Sequence, residues 1–347
     1  TLHIKTRMAR VTFSGRTAVR SARLVLQRAR GRGSRWLRVR RVRSRNFHYR
    51  ATVRRPKVAT RYRVVWRGTG RTSPVRRVRP RRRPAAPTVP RDACGPRPQK
   101  ADGSRWKCTF SDEFNGGGLD RTKWIPQSSG YRTGTSEKFA CYTEDNVTVR
   151  NGSLRLRLIH GAPQTCQGAN GNNETTPYTA GSVSTYRLFS QRYGRFEARM
   201  RNTAADVAGL QETFWLWPDD REVQLNWPLT GEIDIAETYS SHPELVIPFL
   251  HSASDALGNV WKGPLTNTAL CDAERGRFNT YRLEWGPSKI RIFVNGTLCL
   301  TNTSGDPAFR HKYILAFTQA IGAKGNEATA ATPIPATTEV DWVRVWQ

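Results

Sequence analysis

The sequence predicts two all-β units in tandem, a small β-sandwich over residues 1–80 and a larger one over 105–347, joined by a Pro/Arg-rich linker at 81–104. Three observations predict it. Short stretches of four to eight residues alternate apolar and polar side chains, the period of a half-buried strand, and strong helical periodicity is absent. The charge is split: the first 83 residues hold 29 of the 57 Lys and Arg and none of the 27 Asp and Glu, leaving 28 basic against 27 acidic residues in 84–347. The stretch 78–100, VRPRRRPAAPTVPRDACGPRPQK, has the Pro and Arg content of an extended segment.

A chain of 347 residues with 11 Trp, 10 Tyr and 13 Phe has enough apolar bulk for two cores. Of the formal net charge of +30, all but one unit lies in residues 1–83. There, Ala22 to Gln27, Trp36 to Val42, Phe47 to Val53 and Tyr62 to Trp66 alternate, with Gly-containing breaks at 31–33 and 68–70. The alternation leaves a solvent face made almost entirely of Arg. Such a surface attracts polyanions by counterion release, so an acidic cell envelope or matrix is the expected partner; the unit carries no recognisable nucleic-acid reader motif. Its pattern resembles the small immunoglobulin-like or fibronectin-like accessory domains of secreted bacterial enzymes.

In the second unit VTVR and LRLRL flank Asn151-Gly152, and IRIFV precedes Asn295-Gly296, both hairpin signals. GSVST, GRFEARMR, EIDIAE, YRLEW and EVDWVRVW read as further strands, so a sandwich of about 250 residues is expected. The six cysteines include no CxxC pair and fit an oxidising, extracellular compartment. Of fifteen possible pairings, the simplest joins neighbours: Cys94 with Cys108, Cys141 with Cys166, Cys271 with Cys299. No apolar run is long enough for a membrane span and no signal-peptide pattern is present. The start at Thr1 without Met is consistent with a leader already removed.

The chemistry is concentrated in Gly231-Glu232-Ile233-Asp234-Ile235-Ala236-Glu237, three carboxylates in an otherwise apolar strand. Regular alternation puts Glu232 and Asp234 on one face and Glu237 on the other. One extra residue, a β-bulge near Ile235 or Ala236, returns Glu237 to the shared face. The two glutamates then stand about four regular steps apart, roughly 13 Å between backbones, within reach of the ~5–5.5 Å carboxyl separation of a retaining glycosidase. Three like charges on one face also hold a carboxyl protonated near neutral pH. Glu232 is the expected nucleophile, Glu237 the acid/base, and Asp234 the group that orients them.

This strand resembles the active-site strand of glycoside hydrolase family 16, the laminarinase-like β-jelly rolls. The resemblance runs through FSDEFNGGGLDRTKW, EKFACYTEDNVTVRNGSLRLRL, YTAGSVST, YGRFEARM, ETFWLWP, WPLTGEIDIAE and EVDWVRVW, over about residues 105–347. It implies a concanavalin-like jelly roll with a concave catalytic cleft and retaining endo-hydrolysis of a β-linked polysaccharide, foremost β-1,3-glucan of the laminarin type. Agar, carrageenan or mixed-linkage glucan are alternative substrates, and transglycosylation an alternative outcome. The sequence departs from the laminarinase pattern at Ala236, where Met is common.

Trp215 and Trp227 are the expected sugar platforms, an indole suiting the apolar face of a pyranose. By the same resemblance His251 contacts a sugar hydroxyl or the acid/base, and Glu137, Tyr142, Asn146 and Gln319 line subsites. Glu113, the Gly152 carbonyl and Asp341 match a structural Ca²⁺ site, hard oxygen donors suiting that ion. No His/Cys ligand cluster and no Gly-rich phosphate loop occur, so catalysis is expected to need no cofactor. A lectin-like jelly roll is the non-enzyme alternative, and a monomer the expected state.

Overall fold

The computed structural model describes residues 1–7, 10–30, 33–79, 91–128, 130–131, 139–168, 171–256, 263–323 and 325–347. The chain forms two compact units, Thr1–Thr88 and Val89–Gln347.

In the first unit a sheet of His3–Arg7, Arg10–Arg16 and His48–Arg54 faces one of Leu37–Arg43, Arg23–Ala29, Thr60–Trp66 and Arg76–Val78. Leu24, Leu26, Tyr62 and Val64 pack with Val11 and Phe13, Arg61 and Arg63 alternate with the buried Tyr62 and Val64, and Val25, between the two leucines, is also buried. Phe13 and Tyr62 meet at 4.7 Å between ring centroids. The sequence reading finds four of these strands and misses His3–Arg7, Arg10–Arg16 and Arg76–Val78, each of which carries only one or two large apolar side chains.

The second unit is a jelly-roll sandwich. One sheet runs Ile125–Pro126, Ser182–Ser184, Tyr313–Ile321, Leu210–Pro218, Glu232–Tyr239, Ile247–His251. The opposing sheet has Ser153–Gln167, Ala336–Trp346, Gly194–Arg201 and Asn279–Gly286 at its centre. Strict alternation in Gly194–Arg201 sends Phe196, Ala198 and Met200 into the core against Phe214, Leu216, Ile233 and Ile235. Both predicted hairpins form, with positive φ at Asn151 and Gly152 and at Asn295 and Gly296, the left-handed pair that a two-residue turn requires.

All three cysteine pairs join sequence neighbours, Cys94–Cys108, Cys141–Cys166 and Cys271–Cys299. The first revises the expected linker. Arg91–Asp92 pairs with Gly95–Pro96, and the Asp92 carboxylate accepts from the backbone N–H groups of Cys94 and Cys108 at 3.1 and 3.0 Å. Residues 91–104 are thereby stapled into the second unit, because a crosslink and a hydrogen-bonded turn outweigh proline-rich composition. Residues 80–90 lie outside the described part of the chain. Among the described residues no helix is long and apolar enough to cross a membrane.

Candidate active site

Strand Glu232–Tyr239 lies between Leu210–Pro218 and Ile247–His251. Trp215 faces Asp234 and Phe214 faces Ala236, so Ile235 has no opposite number on that side. On the other side Glu232 faces His251, Asp234 faces Phe249, and Glu237 faces Ile247. This is the expected bulge. It buries the consecutive Ile235 and Ala236, at 0% and 2% exposure, and turns Glu232, Asp234 and Glu237 to the outer face. The two glutamates stand opposite positions four residues apart on the neighbouring strand, about 13 Å along the sheet.

Gly231 sets the entry to this strand. Its φ is +80°, and a β-carbon there would collide with the Tyr313 hydroxyl, which itself donates to the Ala308 carbonyl at 2.7 Å. Only glycine meets both conditions.

Each carboxylate has its own donors. The Trp227 indole Nε1 donates to Glu232 Oε2 at 2.7 Å, and His251 Nε2 lies 3.2 Å from Asp234 Oδ2. One carboxylate oxygen each of Glu232 and Asp234 and a ring nitrogen of His251 lie within 4.8 Å of one another. Glu237 accepts from Gln211 Nε2 at 3.0 Å and from the Tyr239 hydroxyl at 2.6 Å. Burial, and then the charge of Asp234, push Glu237 up to about 7 despite these donors. Glu232 is raised as well, by burial and by Asp234, with His251 and the Trp227 N–H pulling the other way. The group therefore resists full ionisation near neutral pH.

Trp215 and Trp217 both point outward, between the inward Phe214 and Leu216. Trp215 donates to the Thr318 hydroxyl at 3.0 Å and meets Trp217 edge to face at 5.8 Å. Trp227 is 49% exposed and lies 5.4 Å from the His251 ring, with the exposed Leu225 and Leu229 on the same loop.

Three expected subsite residues are corrected. Gln319 is fully buried, its amide bonded to the Gln211 carbonyl, Glu212 and the Thr338 hydroxyl. It supports the buried pair of Glu212 and Arg275, whose guanidinium donates twice to that carboxylate at 2.7 and 2.8 Å. Asn146 is 2% exposed and donates to Thr179 at 2.9 Å, and Tyr142 packs with Ala140, Leu158 and Leu210. Glu137 lies outside the described residues. Sequence reading misses Tyr239 and Gln211. Alternation two residues beyond Glu237 gives the first, while the second needs strand pairing that no local pattern encodes.

The expected calcium donors do not fit that ion as arranged. Both Glu113 oxygens accept from Arg344, at 2.7 and 2.8 Å, and Asp341 Oδ2 accepts from Arg199 at 2.5 Å. Each carboxylate is already neutralised by a guanidinium.

A jelly roll with two glutamates spaced by a bulge, edged by indoles, has the form of a glycoside-cleaving β-sandwich. Residues 106–347 match the family model described as the GH16 domain of β-porphyranases A–D, and the chain belongs to glycoside hydrolase family 16. It is similar to the beta-glucanase of Rhodothermus marinus, 30% identical over 264 residues that cover 70% of this chain and 85% of that protein. It is also 28% identical over 249 residues to the keratan-sulfate endo-1,4-beta-galactosidase of Sphingobacterium multivorum, covering 70% of this chain; the chain spans about half the length of that relative, 55%. Among solved structures it resembles the laminarinase of Rhodothermus marinus, with 25% identity and a TM-score of 0.56 over 70% of this chain and 97% of that one.

Proposed function

We propose that the second unit is a retaining endo-glycosidase for a β-linked polysaccharide, acting by double displacement. The observation that carries this reading is the bulge at Ile235, which sets Glu232 and Glu237 on one face with Asp234 between them. Glu232 attacks the anomeric carbon as its carboxylate, a form that the Trp227 N–H and His251 support against the opposing effects of burial and Asp234. Glu237, held up to about 7, keeps a proton for the departing glycosidic oxygen and then takes one from the incoming water. Asp234, braced by His251, prevents both glutamates from ionising together. Trp215, Trp217 and Trp227 supply flat apolar surface for sugar rings.

β-1,3-glucan is the leading substrate, in line with the laminarinase-like neighbours. A second reading, a β-galactoside in a sulfated polymer, is favoured by the matching β-porphyranase model and by the keratan-sulfate relative. In a lectin, binding would persist without cleavage; a transglycosylase would pass the glycosyl group to a sugar hydroxyl. Release of reducing ends from laminarin, lichenan, agarose, carrageenan, porphyran and keratan sulfate tests the reading, wild type beside Glu232→Gln. Cleavage of at least one polymer, lost by about a thousandfold or more in the variant, is the expected result. Binding without cleavage of any of them would leave the lectin.

A further inference from the structure

The outer face of the four-stranded sheet in the first unit is a surface that the hydrolase reading leaves unused. Register and alternation fix which side chains share it. Arg38 lies opposite Gln27, and Gln27 opposite Arg63; the next row is Arg41, Val25 and Val65; beyond it Arg43 faces Arg23, and Arg61 faces Arg77. Their neighbours Leu24, Leu26, Tyr62 and Val64 are in the core, so this face points outward. Trp36 lies against it, its ring 4.3 Å from the Arg63 guanidinium carbon and 5.5 Å from that of Arg61. The Gln27 side-chain oxygen accepts from Arg63 Nε at 2.9 Å and holds that fork in place.

No carboxylate of the same unit can neutralise this array, because residues 1–83 contain no Asp or Glu. Folding therefore gathers like charges about 7 Å apart along a strand and about 5 Å between strands, a cost that bound anions relieve. The choice of cation is equally one-sided: of the 29 basic residues only Lys5 and Lys57 are lysines. A guanidinium is planar, weakly hydrated and forked, matched to two oxygens of an oxyanion, whereas an ammonium is a hydrated point charge. Among the arginines the half-buried Trp36, beside Arg61 and Arg63, offers an indole, the kind of surface that stacks on the C–H face of a pyranose.

We propose that this face binds a sulfate-bearing polysaccharide, with the guanidinium forks on sulfate oxygens and the Trp36 indole beside the sugar ring. The choice of a sulfated polysaccharide over another polyanion rests on the family of the second unit and on the second reading proposed for it, a β-galactoside in a sulfated polymer. The first unit then acts as an anchor that holds the chain on a sulfated polymer.

The test uses the full chain with Glu232→Gln, so that no polymer is consumed. Binding to keratan sulfate, to its chemically desulfated form and to double-stranded DNA is measured by calorimetry over a range of salt concentrations. The expected result is affinity for the sulfated polymer about tenfold or more above both others, falling steeply with salt. Replacing Arg38, Arg41 and Arg43 together by Gln should remove most of that affinity and flatten the salt slope by roughly one per arginine. Lysine at the same three positions should give an intermediate value, retaining charge without the fork. All three side chains are exposed, and an unchanged melting temperature verifies folding. Equal binding to DNA or to desulfated polymer, or full affinity in the Gln variant, would overturn the proposal. Binding by a chain whose wild type cuts none of the polymers would leave this inference standing and remove the hydrolase reading.

Discussion

The indole of Trp227 donates to Glu232 Oε2 at 2.7 Å from a position five residues upstream, so an exposed aromatic also acts as a donor to the expected nucleophile. Trp227→Phe keeps a ring and removes that donor. A hydrogen bond to a charged group is worth about 1.5–3 kcal/mol, so kcat/KM should fall about ten- to a hundredfold. The lost N–H favoured the ionised form, so the acid limb of the pH profile should also move to higher pH. A loss confined to KM, with an unmoved acid limb, would mean that Trp227 only stacks.

Glu237 gives the opposite limb. Its carboxyl is held up to about 7, so kcat/KM should decline as pH rises through that region and the acid loses its proton. The same shift acts on stability. The folded state binds this proton more tightly than the unfolded chain, where the value is 4.5. Its stabilisation is fully present below about 4.5 and is lost as pH rises to about 7. Glu237→Gln should flatten that part of the melting-temperature profile, as thermal unfolding across pH 4 to 8 would reveal.

At Gly231 the constraint is steric. Gly231→Ala places a methyl group against the Tyr313 hydroxyl at a φ of +80°. A cost of about 1–3 kcal/mol in stability is expected, together with loss of activity as Glu232 is displaced. Denaturant unfolding and reducing-end assays on the same variant would check both.

Beneath the sheet, Arg275→Leu leaves Glu212 buried without its guanidinium. Breaking a buried pair costs about 3–5 kcal/mol, a melting-temperature drop that differential scanning calorimetry should register. Gln319→Leu should lower stability in the same direction and leave KM unchanged, because Gln319 touches only protein groups.

How far these features are legible in the sequence depends on whether their cause is local. The five-residue interval from Glu232 to Glu237 cannot keep both on one face of a regular strand, so the bulge follows from spacing alone, and it falls at Ile235. The hairpins at Asn151-Gly152 and Asn295-Gly296 are local in the same way. Gln319 fails as a subsite residue because its burial depends on Glu212, Gln211 and Thr338, more than a hundred residues away for the first two. The span 91–104 reads as linker because its composition is proline-rich, whereas its structure comes from the crosslink of Cys94 to Cys108 and the Asp92 carboxylate.

The central claim is that Glu232 and Glu237 cooperate in double displacement, and the anomeric form of the first product tests it most directly. Proton NMR during early hydrolysis of whichever polymer is cut should show the β-anomer appearing first and mutarotating to the α form later. An α-anomer appearing first would mean inversion, two carboxyls about 6.5–9.5 Å apart with water between them, and would contradict the account.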